Sequence, residues 1–422
     1  MCSSSGKRPL GLKEFMDRIL VLDGDARSAL AVVRSLGRLD VELGVAACGA
    51  TPLAHASRFV MQRFTCPDPG DSPDAWRAWL LETVDAWQPH MLLPLTDVSL
   101  GIVLGMESRL REATVLPCVD EATFHRVANK STLLALAEDL GIRAPATLVV
   151  PPRAERSEDD SACIEAFAYP AVLKTNYTQS DLDDRFVRLP VAYPNDASAA
   201  RTLVEGDGAY RDVEVLLQQR IVGPGTGVFA LCADGRAHAV FAHRRLLEKP
   251  PTGGVSVLSE GIPLEQAPVG DALRLLERLH WQGMAMVEWK RHSDGHFYLM
   301  EINPRFWGSL QLAIDSGRDY PALLYRLFRS GEALRGPKLE RFAEEIPELV
   351  PGRRLRWLLG TVDHALIRLE AMPLLTLREI IFRNCLELFR AASKTRLEVL
   401  RVTDPRPFAA ELRAWARALR GG

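Results

Sequence analysis

Glu288 and Glu301 flank an Asp-Gly pair in the segment Met284-Ala-Met-Val-Glu288-Trp-Lys-Arg-His-Ser-Asp294-Gly295-His-Phe-Tyr-Leu-Met-Glu301-Ile-Asn303-Pro-Arg305. Asp-Gly is a strong two-residue hairpin signal, because a type I′ turn needs positive φ at both central positions. With that turn Ser293 faces His296 and Glu288 faces Glu301, with Cβ atoms roughly 4.5–5.5 Å apart. Asn303, two residues on, shares the face. Opposed like charges are unfavourable unless a cation bridges them or one takes a proton. Two carboxylates and an amide oxygen suit Mg²⁺, which takes hard oxygen ligands and completes its shell with water and phosphate. The alternative is a surface hairpin in which a one-residue slip puts the glutamates on opposite faces. Against it, Met284, Met286, Val287, Trp289, Phe297, Leu299, Met300 and Ile302 make the hairpin apolar, and charges inside such a run need partners.

Two lysines have the placing of phosphate ligands. Lys174 closes the apolar run Tyr169-Pro-Ala-Val-Leu-Lys174. There its ammonium either reaches a cleft or snorkels at the surface. Lys130 follows Asn129 at the start of a helical stretch, where phosphates also bind.

Taken in order, the chain has Asn129-Lys130, Gly141-Ile-Arg-Ala-Pro145, Tyr169 to Lys174, Leu217-Gln-Gln-Arg-Ile-Val-Gly223, His243-Arg-Arg245, Pro250-Pro-Thr-Gly-Gly254, Glu288 and Glu301-Ile-Asn-Pro-Arg305. Over about residues 19 to 330 this resembles the ATP-grasp superfamily, in the branch of the carbamoyl-phosphate synthetase large subunit and biotin carboxylase. The resemblance implies ATP as substrate and Mg²⁺, with Mn²⁺ as a substitute, as metal. It implies Lys174 and Lys130 on the nucleotide phosphates, and a hinge at Gln218, Gln219, Arg220 and Ile221 holding adenine. Glu288, Glu301 and Asn303 become metal ligands. Arg305 steadies the transferring phosphoryl group, and Arg245 is a second arginine of that cleft.

Two features depart from the family pattern. The hinge has Gln219 where a glutamate is usual. The loop after Lys174, Thr175 to Arg185, contains no glycine, although backbone amides approach phosphate closely only where side chains are absent. The loop is therefore expected to be longer or to use Ser and Thr hydroxyls, with Gly253-Gly254 as a second flexible element.

These residues need a scaffold. Ile19 to Leu22, Leu43 to Ala47 and His90 to Leu93 read as short buried strands, with Val115 to Pro117 as a further candidate. They alternate with helical stretches at 26–36 and 74–87, the pattern of an open parallel α/β sheet. Asp25 and Asp97 follow strand ends, where such sheets bind ligands but where helix caps are as good an account. Ser131 to Leu140 and Asp271 to Leu279 read as helices, Pro151 to Asp160 as a loop, and Ala233-Asp-Gly235 as a hairpin turn. The expected organisation is an N-terminal open parallel α/β domain at 1–128, a two-lobed α+β domain at 129–330 with a small lobe at about 145–222, and an α-helical C-terminal region at 331–422. Trp307 and the segment from Asn303 to Asp319, with the N-terminal domain, are expected to line an acceptor pocket.

Bulk properties narrow the class. At 422 residues a large core is available, and 52 Lys and Arg against 54 Asp and Glu give no field that would favour nucleic acid. Seven scattered cysteines without a CxxC pair argue against a disulfide framework and fit a reducing cytoplasm. The first residues lack an apolar leader core, and Met91 to Met106, interrupted by Asp97, falls short of a membrane span. Residues 351–422 carry 14 Lys and Arg against 7 Asp and Glu, a net +7. That reads as a helical appendage with a solvated basic face, or as a peripheral contact with anionic membrane. The resulting expectation is a carboxylate–amine ligase working through an acyl phosphate, with small-molecule substrates and room for a homodimer. The alternative is a nucleotide-binding regulatory or membrane-docked protein with little turnover.

Overall fold

The computed structural model describes residues 16–422 except 178–179, 183–184, 188, 207, 252, 372–393 and 422. Strand β1 (Asp17–Val21) lies between β2 (Val41–Ala47) and β4 (Met91–Leu93), with β3 (Gln62–Thr65) on the outer edge, all parallel. Ile19, Leu20 and Val21 are fully buried, as expected of a strand covered on both faces. Helix α1 (Arg27–Leu36) follows β1, and α2 (Pro73–Trp87), α3 (Asp97–Leu104) and α4 (Glu107–Ala113) follow later in this domain. The candidate strand at Val115 is a single bridge to Met91. The edge strand β3, mostly exposed, gave no apolar run to read.

Helices α5 (Glu121–Ala128) and α6 (Lys130–Asp139) are started by Asp120 and Asn129, whose side chains accept from the Thr123 and Thr132 amides. A small antiparallel sheet follows, in the order β5 (Thr147–Val150), β9 (Val215–Gln219), β6 (Ala171–Thr175). Its core joins Leu173 and Leu217 to Ile164 of α7 (Glu158–Ala166) and Val204 of α8 (Ala197–Glu205). The loop expected through Asp160 is therefore too long. Ser157 and Asp160 form a capping box, the S-x-x-D start signal, and the helix begins at Glu158. Between β6 and α8 lie two short paired strands, β7 (Ser180–Leu182) and β8 (Arg185–Val187). Part of the glycine-free loop 175–185 falls outside the described residues.

The central feature is a seven-stranded sheet. Its order is β14 (Phe297–Asn303), β13 (Gly283–Arg291), β10 (Gly225–Ala233), β11 (Arg236–Lys249), β12 (Val255–Gly261), β15 (Arg354–Arg356), β16 (Thr395–Leu397). Asp234 and Gly235 turn β10 into β11 with φ of 50° and 76°, the two positive values a type I′ turn requires. Val228, Ala230 and Val287 bury one face against α9 (Val269–Arg278). Phe229, Phe241 and Met286 face the other way, towards α10 (Leu310–Asp315) and α11 (Tyr320–Phe328).

The C-terminal region is helical, with α12 (Pro337–Glu344), α13 (Leu358–Ala371) and a last helix at Arg406–Gly421. It is not the expected appendage, because β15 and β16 extend the central sheet. Arg34 of α1 donates from Nε to Asp404 at 2.9 Å, with both side chains buried.

Candidate active site

The Glu288–Glu301 pairing is present, but it arises differently from the expected route. Asp294 is not among the residues with positive φ, while Gly295 has φ 86°. The Gly295 amide donates to the His292 carbonyl, and His292 and His296 close the turn. The loop is thus three residues, Ser293 to Gly295, one longer than the Asp-Gly signal implies, and Arg291 pairs with Phe297. A bulge then restores the register. Trp289 pairs with Leu299 and Glu288 with Glu301, leaving Met300 as the extra residue, and Met286 reaches Asn303. Two one-residue shifts cancel, so the carboxylates face each other as the simple hairpin requires.

Neighbouring strands complete the row. Gly227 and Gly225 of β10 lie opposite Glu288 and Lys290, and Gly227 also opposes His243 of β11. Strands are about 4.8 Å apart, so β11 side chains stand nearly 10 Å from β13. With glycines between them, the Arg245 guanidinium crosses β10 and donates to Glu288 Oε2 at 2.6 Å, and to Glu248 Oε1 at 3.0 Å. Burial lowers the Arg245 value, but Glu288 and Glu248 more than reverse this and hold it well above its ordinary range. Burial raises the Glu288 carboxyl, Arg245 opposes the rise, and Glu301 adds to it; the net direction is upward. Glu301 goes the other way. Burial raises it, but Lys130, the Asn303 amide, Lys174 and Arg305 together bring it below its usual value. The two facing carboxylates are thus pushed in opposite directions, Glu288 up and Glu301 down.

Asn303 donates from Nδ2 to Glu301 Oε1 at 3.0 Å, and its Oδ1 accepts from Arg305 Nη2 at 3.1 Å. Arg305 forks onto Asp97, with Nε to Oδ1 at 2.9 Å and Nη2 to Oδ2 at 2.7 Å. Burial lowers the Arg305 value, Asp97 raises it, and the guanidinium ends above its ordinary range. Asp97, one of two aspartates after strand ends, therefore belongs to the site. The other, Asp25, accepts instead from the Gly49 amide at 3.1 Å.

Lys174 comes from the small sheet and Lys130 from the start of α6. Lys174 projects from β6, where burial lowers its value while Glu301 and Glu288 act to raise it; the net direction is downward. Lys130 is 6% exposed, and its Nζ donates to the Asn176 carbonyl at 3.3 Å. Buried Asn176 accepts the Ser131 amide at 2.9 Å and donates to Ser131 Oγ at 3.0 Å, tying the start of α6 to the end of β6. At the hinge Gln218 is buried and donates to Thr147 Oγ1 at 2.8 Å, so its side chain serves the small lobe. Gln219 and Arg220 are exposed and Ile221 is buried. Lys290 donates to the Ile221 carbonyl at 3.4 Å.

Asn176, Lys290 and Asp23 were not found from sequence. Asp23, at φ 57°, accepts from the Leu95 and Thr96 amides, Thr96 Oγ1 and Ser99 Oγ, fixing the start of α3 and so Asp97. No spacing rule marks it, because its partners are more than 70 residues away. Trp307, expected in a pocket, is 2% exposed and stacks on Phe229 at 3.9 Å between centroids. Instead, a cavity of about 170 Å³ beside Glu301 and Asn303 is bounded by α3, α5, Lys130 and Tyr177.

The donors suit a divalent metal. Two facing carboxylates share one face with an amide oxygen, in oxygen-only chemistry. Among the described residues no group of three or more His, Cys, Asp or Glu converges, so Glu288, Glu301 and Asn303 form the candidate set.

Residues 211–344 match the family described as ATP-grasp in the biosynthetic pathway with Ter operon. No curated protein matches the chain. Among solved structures, L-amino acid ligase from Bacillus licheniformis is 18% identical with a TM-score of 0.57, over 80% of this chain and 78% of that one. A biotin carboxylase from Campylobacter jejuni is 12% identical with a TM-score of 0.58, over 80% and 74%. N5-carboxyaminoimidazole synthetase from Staphylococcus aureus, complexed with ADP, is 13% identical with a TM-score of 0.55, over 76% and 79%. Residues 211–344 are thus similar to an ATP-grasp family, and the fold of the chain is similar to that of these ligase and carboxylase structures.

Proposed function

We propose that this protein is an ATP-dependent carboxylate–amine ligase that works through an acyl phosphate. The observation that carries this is the meeting of Glu288, Glu301 and Asn303 with Lys174, Lys130 and Arg305 in one cleft. Cation and carboxylate side chains from both lobes gather where triphosphate charge would need neutralising. The ADP bound to one structural neighbour supports a nucleotide here.

Bound at Glu288, Glu301 and Asn303, Mg²⁺ or Mn²⁺ would neutralise phosphate charge and hold the oxygens in line. Lys174 and Lys130 bind the phosphates from the small-lobe side. Arg305, held by Asp97, presents a fixed guanidinium to the transferring phosphoryl group. Arg245 positions Glu288. Gln219, Arg220 and Ile221 offer backbone groups to adenine, with Gln219 in place of the usual glutamate. Such transfers depend on positioning and charge stabilisation. Glu301→Ala is expected to fold as the native chain does and to lose ~100-fold or more of its substrate-dependent ADP formation. Turnover close to the native rate in that variant would rule out the assignment.

A second reading is a nucleotide-binding regulator with little turnover. It is favoured by the Asp97 carboxylate already filling the Arg305 fork. ADP formation at many moles per mole of protein, in a screen of carboxylates with amines, separates the two.

A further inference from the structure

We infer that the cavity beside Glu301 is the pocket for the acid substrate, and that it selects a monocarboxylic acid whose remaining bulk is compact, uncharged and apolar. This rests on the ligase reading. The cavity, about 170 Å³, is lined by Lys130, Glu301 and Asn303, by Asp97 and His125, and by Val98, Gly101 and Phe124 of α3 and α5. An apolar cavity of about 150 Å³ takes a benzene ring, so there is space for one branched or ring-sized group. A carboxylate placed at Lys130 would sit beside Glu301 and Asn303, with its apolar remainder directed between α3 and α5.

Gly101 supports the assignment. It lies inside α3, where alanine is the better helix former. A Cβ there would stand 3.4 Å from the Phe124 ring, in van der Waals contact with it, so a larger side chain at position 101 would crowd the ring that lines the cavity. Apart from Lys130 the described lining residues include no lysine or arginine, and the lining histidine, His125, lies 3.8 Å from the Glu121 carboxylate. A second acidic group placed between α3 and α5 would face Asp97, already paired with Arg305. Dicarboxylates and phosphorylated acids are therefore disfavoured.

In the reaction, an oxygen of the acid attacks the γ-phosphorus of ATP. The bond from that phosphorus to the β,γ-bridging oxygen breaks, and ADP leaves with the electron pair. An amine nitrogen then attacks the carbonyl carbon. The bond from that carbon to the phosphate oxygen breaks, inorganic phosphate leaves, and the nitrogen gives a proton to solvent.

The test uses the full chain with ATP and Mg²⁺, with hydroxylamine as nucleophile so that acyl phosphate is trapped as hydroxamate. Acetate, isovalerate, phenylacetate and succinate are compared. Isovalerate or phenylacetate should exceed acetate and succinate at least tenfold in kcat/KM. Gly101→Val should collapse that ratio, with the affinity for an ATP analogue kept. Gly101→Ala, which favours the helix, should lower the ratio less and serves if the valine variant does not fold. ADP formation with succinate or acetate preferred, or a ratio unmoved by both variants, overturns the pocket and leaves the ligase reading standing. No ADP formation with any acid overturns both.

Discussion

Arg305 meets Asp97 through two parallel hydrogen bonds and Asn303 through a third. Lysine carries the same charge but has no planar fork. Arg305→Lys is therefore expected to lower turnover by about 100-fold while nucleotide affinity stays nearly the same. Turnover within about twofold of native would show that the fork does not contribute. His243, two residues before Arg245 in the same sequence cluster, has a different task. It lies buried with its ring edge-on to Phe229 at 4.7 Å. Burial, helped by the charge of Arg245, pushes it down to about 3. Its folded value lies below its unfolded one, so the unfolded chain binds the extra proton. Its stabilising contribution is complete above the unfolded value of 6.5 and is lost as pH falls towards 3. Over that window the cost is on the order of 1.4 kcal/mol per pH unit. Urea unfolding between pH 7 and pH 4 should show a shallower acid loss in His243→Gln than in the native chain. Equal slopes would dismiss the argument.

At the scale of elements, the hairpin is the telling case. Its three-residue turn and the bulge at Met300 each shift the register by one, in opposite senses. Removing one residue from a strand ordinarily turns every later side chain to the other face. Deleting Met300 should instead remove the bulge, leave Glu288 opposite Glu301, and keep Mg²⁺-dependent nucleotide binding. Loss of that binding in a folded deletion variant would show that the bulge itself shapes the site. The glycines of β10 matter in the same way. Their missing side chains let Arg245 reach across a strand, which the local sequence around Arg245 does not indicate.

Across the whole molecule, the C-terminal region ties the N-terminal domain to the central sheet. Arg34 donates to Asp404 and to the Glu398 and Val399 carbonyls, and Arg27 pairs with Glu398 over the Trp357 ring. Removing one partner of a buried ion pair commonly costs 3–5 kcal/mol. Arg34→Ala is expected to lower unfolding stability by about that amount, measured by denaturant titration. A loss below about 1 kcal/mol would mean that the contact is incidental. The C-terminal helix is anchored as well, through Trp415 to Asp363 at 2.8 Å. Among the described residues no helix is long and apolar enough to cross a membrane, and nothing in the structure supports the peripheral membrane contact expected from charge.

Strands, helices and most chemistry-bearing residues were legible because they are local. Apolar runs mark β1, β2 and β4, turn residues mark the β10–β11 hairpin, and Glu301-Ile-Asn-Pro-Arg305 carries two candidate metal ligands and an arginine within five residues. What the sequence could not set was contact between distant segments: Asp97 on Arg305, Arg245 on Glu288, Asn176 on Ser131, Asp404 on Arg34. Each is a charge or amide whose partner is chosen by how sheets and lobes pack, and composition leaves many partners open. Trp307 shows the same limit, since an aromatic beside the ligand segment fits a pocket and a core equally well until Phe229 is placed against it. The sequence by itself determined the residue types of the cleft and their order along the chain. Tertiary structure decided which of them meet, because burial makes an unpaired charge costly and so selects the packing that pairs it.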